Sequence, residues 1–162
     1  TIREYKGSLK GLKLCFVGDG NNMANSLIVG GIKMGMQVSV ACPDAYRPDA
    51  GVTAWAQQNG QLFVTSDVLT AAKDADVLYT DVWASMGQEG EKEIREKAFK
   101  GFCINKDVIA AADKEAMVLH CLPVHRGEEI EEEIFEAHAQ EIFDEAENRL
   151  HAQKAVLCKL LK

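Results

Sequence analysis

Short apolar runs and longer amphipathic segments alternate along the whole chain. The short runs, rich in Val, Ile, Leu and Phe, predict strands at 12–17, 36–41, 61–65, 76–80 and 116–120, with a weaker one at 141–143. Segments with helical spacing of apolar positions predict helices at 22–34, 51–59, 67–74, 91–99, 105–113, 128–139 and 145–160. This alternation is typical of βα units. We therefore expect a single α/β domain with a doubly wound, mostly parallel sheet and helices on both faces.

Two segments stand out within this pattern. The predicted helix 145–160 has apolar residues at 150, 155, 156, 157, 160 and 161, a wide stripe that needs a partner surface, either the sheet or another domain. The acidic run Glu128–Glu133 is interpreted as a solvent-exposed helix face, the usual role of a run of charges.

Composition narrows the possible partners. The 162 residues carry a net charge of -7 with scattered Lys and Arg, which argues against nucleic acid or an anionic membrane as partner. No apolar run is long enough to span a membrane. The five cysteines are an odd number without metal-ligand spacing, so we expect reduced thiols, no metal and a cytoplasmic location.

The turn after the first predicted strand reads VGDGNNMANS. Gly18 and Gly20 match the first two glycines of the GxGxxG fingerprint of Rossmann-like nucleotide-binding folds, but Met23 replaces the third. Asp44, a candidate ribose ligand, lies in a Pro-containing turn that is better interpreted as a surface loop. The loop alone leaves two alternatives: Asn21 and Asn22 hold a small anion at the helix N-terminus, or one of them only caps the helix.

Three further strand ends carry unusual polar chemistry. Ligands of open α/β sheets collect at the carboxyl ends of the strands. Each residue also has a purely structural interpretation: a loop cap for Asp81, a small buried side chain for Cys121, a surface ion pair for Arg149, and a satisfied core histidine for His120. The segments are TDVWASMGQE with Asp81, Ser85 and Met86, LHCLPVHRGEE with His120, Cys121 and Leu122, and FDEAENRLHAQK with Arg149.

Four segments of the chain, taken together and in this order, resemble the ornithine-binding half of the ornithine carbamoyltransferases. The segments are GDGNNMANS, DVWASMGQE, HCLPVHRGEE and DEAENRLHAQK. The resemblance covers essentially the whole chain, residues 1–162. It implies transfer of the carbamoyl group of carbamoyl phosphate to the δ-amine of L-ornithine, giving citrulline and phosphate, without a cofactor. The intact Ser85-Met86-Gly87 favours ornithine over acetylornithine or putrescine.

The resemblance also implies roles for individual residues. The ornithine ligands would be Asn22, Asp81, Ser85 and Met86, with Asn21 a less certain choice. Those of carbamoyl phosphate would be Cys121, Leu122, Arg149 and His120. Cys121 and Asp81 would be the catalytic groups, with Cys121 positioning and handling a proton rather than forming a thioester. Family members also lead us to expect a cis Leu122–Pro123 peptide bond.

The chain departs from the family in one large respect. The phosphate loop and the His-Pro segment of the carbamoyl-phosphate domain are absent from these residues. We therefore expect a half that is inactive alone, that belongs to a trimer-based homo-oligomer when complete, and whose C-terminal helix, 145–162, packs on the missing domain.

Overall fold

The computed structural model describes residues 1–84 and 89–161. Over these residues the strands are β1 Lys13–Val17, β2 Gln37–Ala41, β3 Leu62–Thr65, β4 Val77–Thr80 and β5 Met117–His120. The α-helices are α1 Ile2–Lys6, α2 Asn22–Lys33, α3 Ala50–Asn59, α4 Val68–Ala72, α5 Lys92–Ala98, α6 Lys106–Ala111, α7 Glu132–Ala137 and α8 Ala139–Leu160. Short 3-10 turns lie at Asp44–Tyr46 and Glu89–Glu91.

The five strands form one parallel sheet in the order β3-β2-β1-β4-β5. The central strand β1 pairs with β2 on one side and with β4 on the other, so the connections run in opposite directions from it. A crevice for ligands opens at such a switch point, beyond the carboxyl ends of the strands. The predicted doubly wound α/β fold is confirmed.

Two apolar cores lie on opposite faces of the sheet. One packs the strands against α2 and α3 through Ala24, Ile28 and Ala56. The other packs them against the helices of the second half of the chain, including Phe99, Phe135 and Ile142. Because both faces are covered, β1, β4 and β5 are buried over most of their length.

The predicted weak strand at 141–143 is wrong. These residues belong to α8, where Ile142 is fully buried and Phe143 is 55% exposed. A pair of adjacent apolar residues fits either a strand or one helix face, and only the longer helical period separates the two. The five-residue helix α1 was not predicted.

The interpretation of Glu128–Glu133 as an exposed helix face is also wrong in its first half. Helix α7 begins only at Glu132, and Glu129 is fully buried. The charged run therefore contains one carboxylate of the protein interior.

Two further expectations concern the second half of the chain. The Leu122–Pro123 peptide bond is cis, as predicted. The apolar residues of the second half of α8 do not pack on the sheet, since Leu157 and Leu160 are 56% and 75% exposed. No described helix is both long and apolar enough to cross a membrane.

Candidate functional site

A cleft of about 1020 Å³ opens at the carboxyl ends of β1, β4 and β5, and α8 forms one wall. We call it the strand-end cleft. Five of the residues proposed from the sequence line it: Asn22, Asp81, Cys121, Leu122 and Arg149. The polar groups that follow three different strands therefore converge, which the sequence alone could not establish.

The outcome differs for the other three proposed residues. Ser85 and Met86 lie outside the described residues. His120 is fully buried behind the cleft.

The two adjacent asparagines after β1 have different roles. Asn21 is the N-cap of α2: its side-chain oxygen accepts hydrogen bonds from the backbone N–H groups of Met23 at 2.9 Å and Ala24 at 3.3 Å. Asn22 is exposed and lines the cleft. Of the two asparagines, Asn21 caps the helix, while Asn22 is the amide that faces the cleft.

The glycine loop is filled by the chain itself on the side where a pyrophosphate would approach. The Gly20 N–H donates to the Tyr46 carbonyl oxygen at 2.8 Å. A β-carbon at Gly20 would lie 2.3 Å from the Pro48 nitrogen. Asp44 is exposed and pairs with Arg47 at 2.5 Å. The glycine at position 20 thus serves packing of the turn at 43–48, and the nucleotide interpretation loses its main support.

Asp81 and Cys121 meet at the floor of the cleft. Asp81 is 7% exposed, and its Oδ1 accepts hydrogen bonds from the Val82 N–H at 2.8 Å and the Cys121 thiol at 3.1 Å. Its Oδ2 has a longer contact of 3.4 Å to the Asn21 amide nitrogen. Burial, together with the Asp81 charge, raises the pKa of the Cys121 thiol. Cys121 is therefore a neutral hydrogen-bond donor here.

Asp81 has no cationic partner among residues 1–84 and 89–161. No ion pair joins Asp81 to any Lys, Arg or His in the part of the chain that the structure describes. A buried carboxylate is normally paired or fully hydrogen-bonded. The floor of the cleft therefore offers an unneutralised anionic site.

His120 acts on the cleft through the backbone. Its Nδ1 accepts the Leu122 N–H at 2.9 Å, which leaves the proton on Nε2 to be donated to Glu129 Oε1 at 3.1 Å. The same Glu129 oxygen accepts the His125 N–H at 2.6 Å. Both ring nitrogens are thus occupied in holding the 121–122 turn. Sequence reasoning missed Glu129, because it took that residue for part of a solvated acidic run.

A second buried pair fixes the loop after β4. Arg95 is 6% exposed and donates from one nitrogen to Asp19 Oδ2 at 2.7 Å and to the Trp83 carbonyl oxygen at 2.9 Å. Its guanidinium also lies 5.0 Å from the centre of the Tyr46 ring. The pair joins the end of β1 to the loop that carries Asp81. Sequence reasoning missed both residues of this pair. The one signal in the sequence was the position of Asp19 inside the glycine loop.

One group of side chains has the composition of a metal site. The candidate ligand atoms of His125, Glu128 and Glu129 lie within 4.8 Å of one another. Protein contacts already account for most of this arrangement, since Glu129 Oε1 accepts two hydrogen bonds and His125 Nδ1 lies 3.8 Å from Glu128 Oε2. We assign no metal to it.

Comparisons with known proteins agree with this geometry. Residues 10–160 match the family model described as aspartate/ornithine carbamoyltransferase, Asp/Orn binding domain. The ornithine carbamoyltransferase of Geobacter metallireducens is 51% identical over 164 residues, which cover 100% of this chain and 54% of that protein. That of Pyrococcus abyssi is 52% identical over 166 residues, covering 99% of this chain and 52% of the relative.

Solved structures give the same result. The ornithine carbamoyltransferase from Pyrococcus furiosus superposes with a TM-score of 0.90 at 52% identity, covering 96% of this chain and 51% of that one. The anabolic enzyme from Campylobacter jejuni gives 0.91 at 40% identity, covering 98% and 55%. The chain spans about half the length of the relatives it matches. From its sequence, its fold and the residues that its cleft brings together, the chain belongs to the aspartate/ornithine carbamoyltransferase family and represents the Asp/Orn binding domain.

Proposed function

We propose that this chain is the ornithine-binding half of an ornithine carbamoyltransferase. The reaction joins the carbamoyl carbon of carbamoyl phosphate to the δ-nitrogen of L-ornithine, breaks the bond from that carbon to the phosphate oxygen, and releases citrulline and phosphate. The observation that carries the proposal is Asp81, a carboxylate that is 7% exposed, faces the cleft and has no cation among the described residues. Ornithine carries two ammonium groups and one carboxylate, so it supplies the cation that this site lacks among the described residues.

Asp81 and Asn22 would orient the amino-acid head of ornithine. Asp81 Oδ2 makes only one long hydrogen bond, so it retains capacity for the α-ammonium. The Asn22 amide, exposed in the first turn of α2, can donate to the α-carboxylate, and the helix N-terminus favours that negative charge. The family resemblance adds Ser85 and Met86 as further contacts.

Carbamoyl phosphate would lie on the opposite wall of the cleft. Arg149 of α8 is exposed, lines the cleft and makes no hydrogen bond within the described residues, so its guanidinium is available to the phosphate. The backbone carbonyl groups of Cys121 and Leu122 would accept from the carbamoyl amide. His120 would contribute by holding the Leu122 N–H in place.

The thiol of Cys121 gives this site a way to respond to its substrate. The Asp81 charge is one cause of the raised thiol pKa. An ammonium bound to Asp81 would offset that charge, so the pKa of Cys121 would fall when ornithine binds. Cys121 would then handle a proton only in the loaded site, where the δ-amine must lose its proton to become a nucleophile.

The exposed end of α8 would pack on the carbamoyl-phosphate half. Its apolar residues Leu150, Val156, Leu157, Leu160 and Leu161 are 56–82% exposed, which is unusual for five apolar side chains on one helix. The complete protein would be a trimer-based homo-oligomer, as the family resemblance implies. Five free cysteines fit a reducing compartment such as the cytoplasm.

Calorimetric titration of the chain with L-ornithine tests the proposal. We expect saturable binding, and we expect Asp81→Asn to weaken it about tenfold to a hundredfold through loss of a charge-assisted hydrogen bond. The matched control is Asp44→Asn, which removes an exposed acid that does not line the cleft. Unchanged affinity in Asp81→Asn would overturn the placement of the ammonium, and absence of ornithine binding to the wild type would overturn the function.

A second measurement addresses the missing half. The chain alone should make no measurable citrulline, because the residues that would hold most of the phosphate are absent from it. Citrulline formation should appear when the chain is joined to the amino-terminal half of the Pyrococcus furiosus enzyme. Turnover by the isolated chain within tenfold of that fusion would contradict the half-enzyme proposal.

A further inference from the structure

Helix α8 lies along the open edge of β5 and accepts hydrogen bonds from it. The Met117 N–H donates inward, to the Asp76 carbonyl oxygen at 3.1 Å, so the alternate N–H groups of β5 face away from the sheet. The Val118 N–H donates to Glu141 Oε2 at 2.8 Å. The His120 N–H donates to Glu145 Oε2 at 3.1 Å. Two carboxylates thus replace the strand that would otherwise pair here.

The spacing of these contacts matches the repeat of both elements. Two residues of a parallel strand advance about 6.6 Å, and four residues of an α-helix advance about 6 Å. Residues 118 and 120 therefore meet residues 141 and 145 in register. β5 ends at His120, and four residues beyond Glu145 the helix α8 carries Arg149, which lines the same cleft as Leu122.

Both carboxylates are held by a second contact, so they cannot adjust freely. The Tyr79 hydroxyl of β4 donates to Glu145 Oε1, and His138 Nδ1 lies 2.8 Å from Glu141 Oε2. Glu145 is thereby fixed to two neighbouring strands at once. The axial position of α8 relative to the strand ends depends on these contacts.

We propose that Glu141 and Glu145 are positioning residues that set the register of α8 on the edge of β5 and so hold Arg149 at the wall of the cleft. The proposal rests on the proposed function only in naming carbamoyl phosphate as the ligand of Arg149. The register itself is a property of this chain and can be measured without any ligand.

The test uses Glu145→Ala, with two matched variants. Glu145→Gln keeps an oxygen that accepts the His120 N–H and removes the charge. Glu147→Ala removes an exposed carboxylate of the same helix, whose side-chain hydrogen bond among the described residues is to His151. The readouts are hydrogen exchange of the His120 amide, the crystallographic position of Arg149 relative to β5, and the dissociation constant for carbamoyl phosphate of the chain joined to the amino-terminal half of the Pyrococcus furiosus enzyme.

In Glu145→Ala we expect exchange of the His120 amide to accelerate at least tenfold relative to amides of β1, Arg149 to shift, and carbamoyl phosphate affinity to fall at least tenfold. Glu145→Gln should stay within threefold of the wild type, and Glu147→Ala should not differ from it. Unchanged exchange, or an unmoved Arg149, would overturn the proposal. So would tighter carbamoyl phosphate binding by Glu145→Gln, because Glu145 would then act through its charge.

The same measurements keep this proposal separate from the function. If Arg149→Ala does not weaken carbamoyl phosphate binding by the chain joined to the amino-terminal half of the Pyrococcus furiosus enzyme, the assignment of Arg149 to that ligand fails. The exchange rate and the position of Arg149 still decide whether Glu145 sets the register. If Glu145→Ala does not fold, Glu141→Ala gives the same readout at the Val118 amide, where the same acceleration is expected and its absence overturns the proposal.

Discussion

The Cys121 thiol donates a hydrogen bond to Oδ1 of Asp81 across 3.1 Å, and the two residues come from the ends of adjacent strands, β5 and β4. Each group changes the chemistry of the other. The carboxylate holds the proton on the sulfur, and the thiol supplies part of the hydrogen bonding that a carboxylate with 7% exposure requires. A substrate cation that binds Asp81 therefore also acts on the thiol.

Replacing Asp81 by Asn should make Cys121 more reactive. The substitution removes a negative charge that raises the thiol pKa, so the pKa falls and the thiolate fraction at pH 8 increases. The measurement is the rate of alkylation by iodoacetamide at each cysteine, resolved by peptide mass spectrometry. The half-buried Cys103 and exposed Cys158 serve as internal controls and should keep their wild-type rates. A slower or unchanged rate at Cys121 would show that burial alone sets its pKa.

The adjacent asparagines should separate stability from binding. Asn21→Ala removes the cap of α2 and should lower the free energy of unfolding by about 0.5–2 kcal/mol. Asn22→Ala should leave the free energy of unfolding within about 0.5 kcal/mol of the wild type and weaken ornithine binding. Urea unfolding and calorimetry measure the two effects. Equal loss of stability in both variants would contradict the division of roles.

A methyl group at Gly20 should disrupt the packing of the glycine loop against the turn at 43–48. Gly20→Ala places a β-carbon against the backbone of the turn at 43–48, and we expect a loss of about 1–3 kcal/mol in the free energy of unfolding. Gly30 lies in α2, and a β-carbon there would have nothing within 4 Å, so Gly30→Ala should stabilise the chain by about 0.5–1 kcal/mol. Chemical denaturation compares them, and a Gly20→Ala variant as stable as the wild type would mean that the turn is not packed there.

Glu145 should make stability depend on pH in a defined direction. Burial raises the pKa of its carboxyl above the ordinary value of 4.5, so the folded chain holds this proton more tightly than the unfolded chain. The stability contributed by this group is full below pH 4.5 and is lost as the pH rises through its folded-state pKa. The Glu145→Gln variant does not lose stability in this pH range through residue 145, because a glutamine side chain does not titrate.

The difference in the free energy of unfolding, Glu145→Gln minus wild type, should therefore increase as the pH rises from about 4 through that range. Urea denaturation at several pH values measures it. The exposed Glu147→Gln should give a flat difference. A difference that decreases with pH would mean that the hydrogen bonds from Tyr79 and His120 outweigh burial.

A feature of this fold could be predicted from the sequence when it depends on residues that are close together in the chain. The βα alternation is a local pattern, so all five strands were predicted within a residue or two of their observed ends. Family motifs identified Asn22, Asp81, Cys121, Leu122 and Arg149 as site residues, and the structure places them in one cleft. The sequence could not, however, divide the roles of Asn21 and Asn22, because capping depends on where the helix begins.

The residues that sequence reasoning missed are those whose partners are distant in the chain. Asp19 and Arg95 are 76 residues apart, and His120 and Glu145 are 25 apart. Glu129 follows His120 by only nine residues, but it stands in a run of acidic residues, and such a run predicts an exposed segment rather than a buried side chain. A charged residue has no periodic signal that tells a buried partner from a solvated one. Such pairs become visible only when the fold brings the elements together.

Because α8 covers the edge of β5 and follows it in the chain, this edge is uncovered for a time while the protein is being synthesised. A ribosome completes β5 at residue 120 and reaches the middle of α8 about 25 residues later, so the nascent sheet has an open edge with unpaired N–H groups during that interval. Parallel sheets of this kind form slowly, and unpaired edges are where partly folded chains associate. Once α8 has been made and docks on β5, Glu141 and Glu145 accept the Val118 and His120 N–H groups, so this edge is no longer free to pair with another chain.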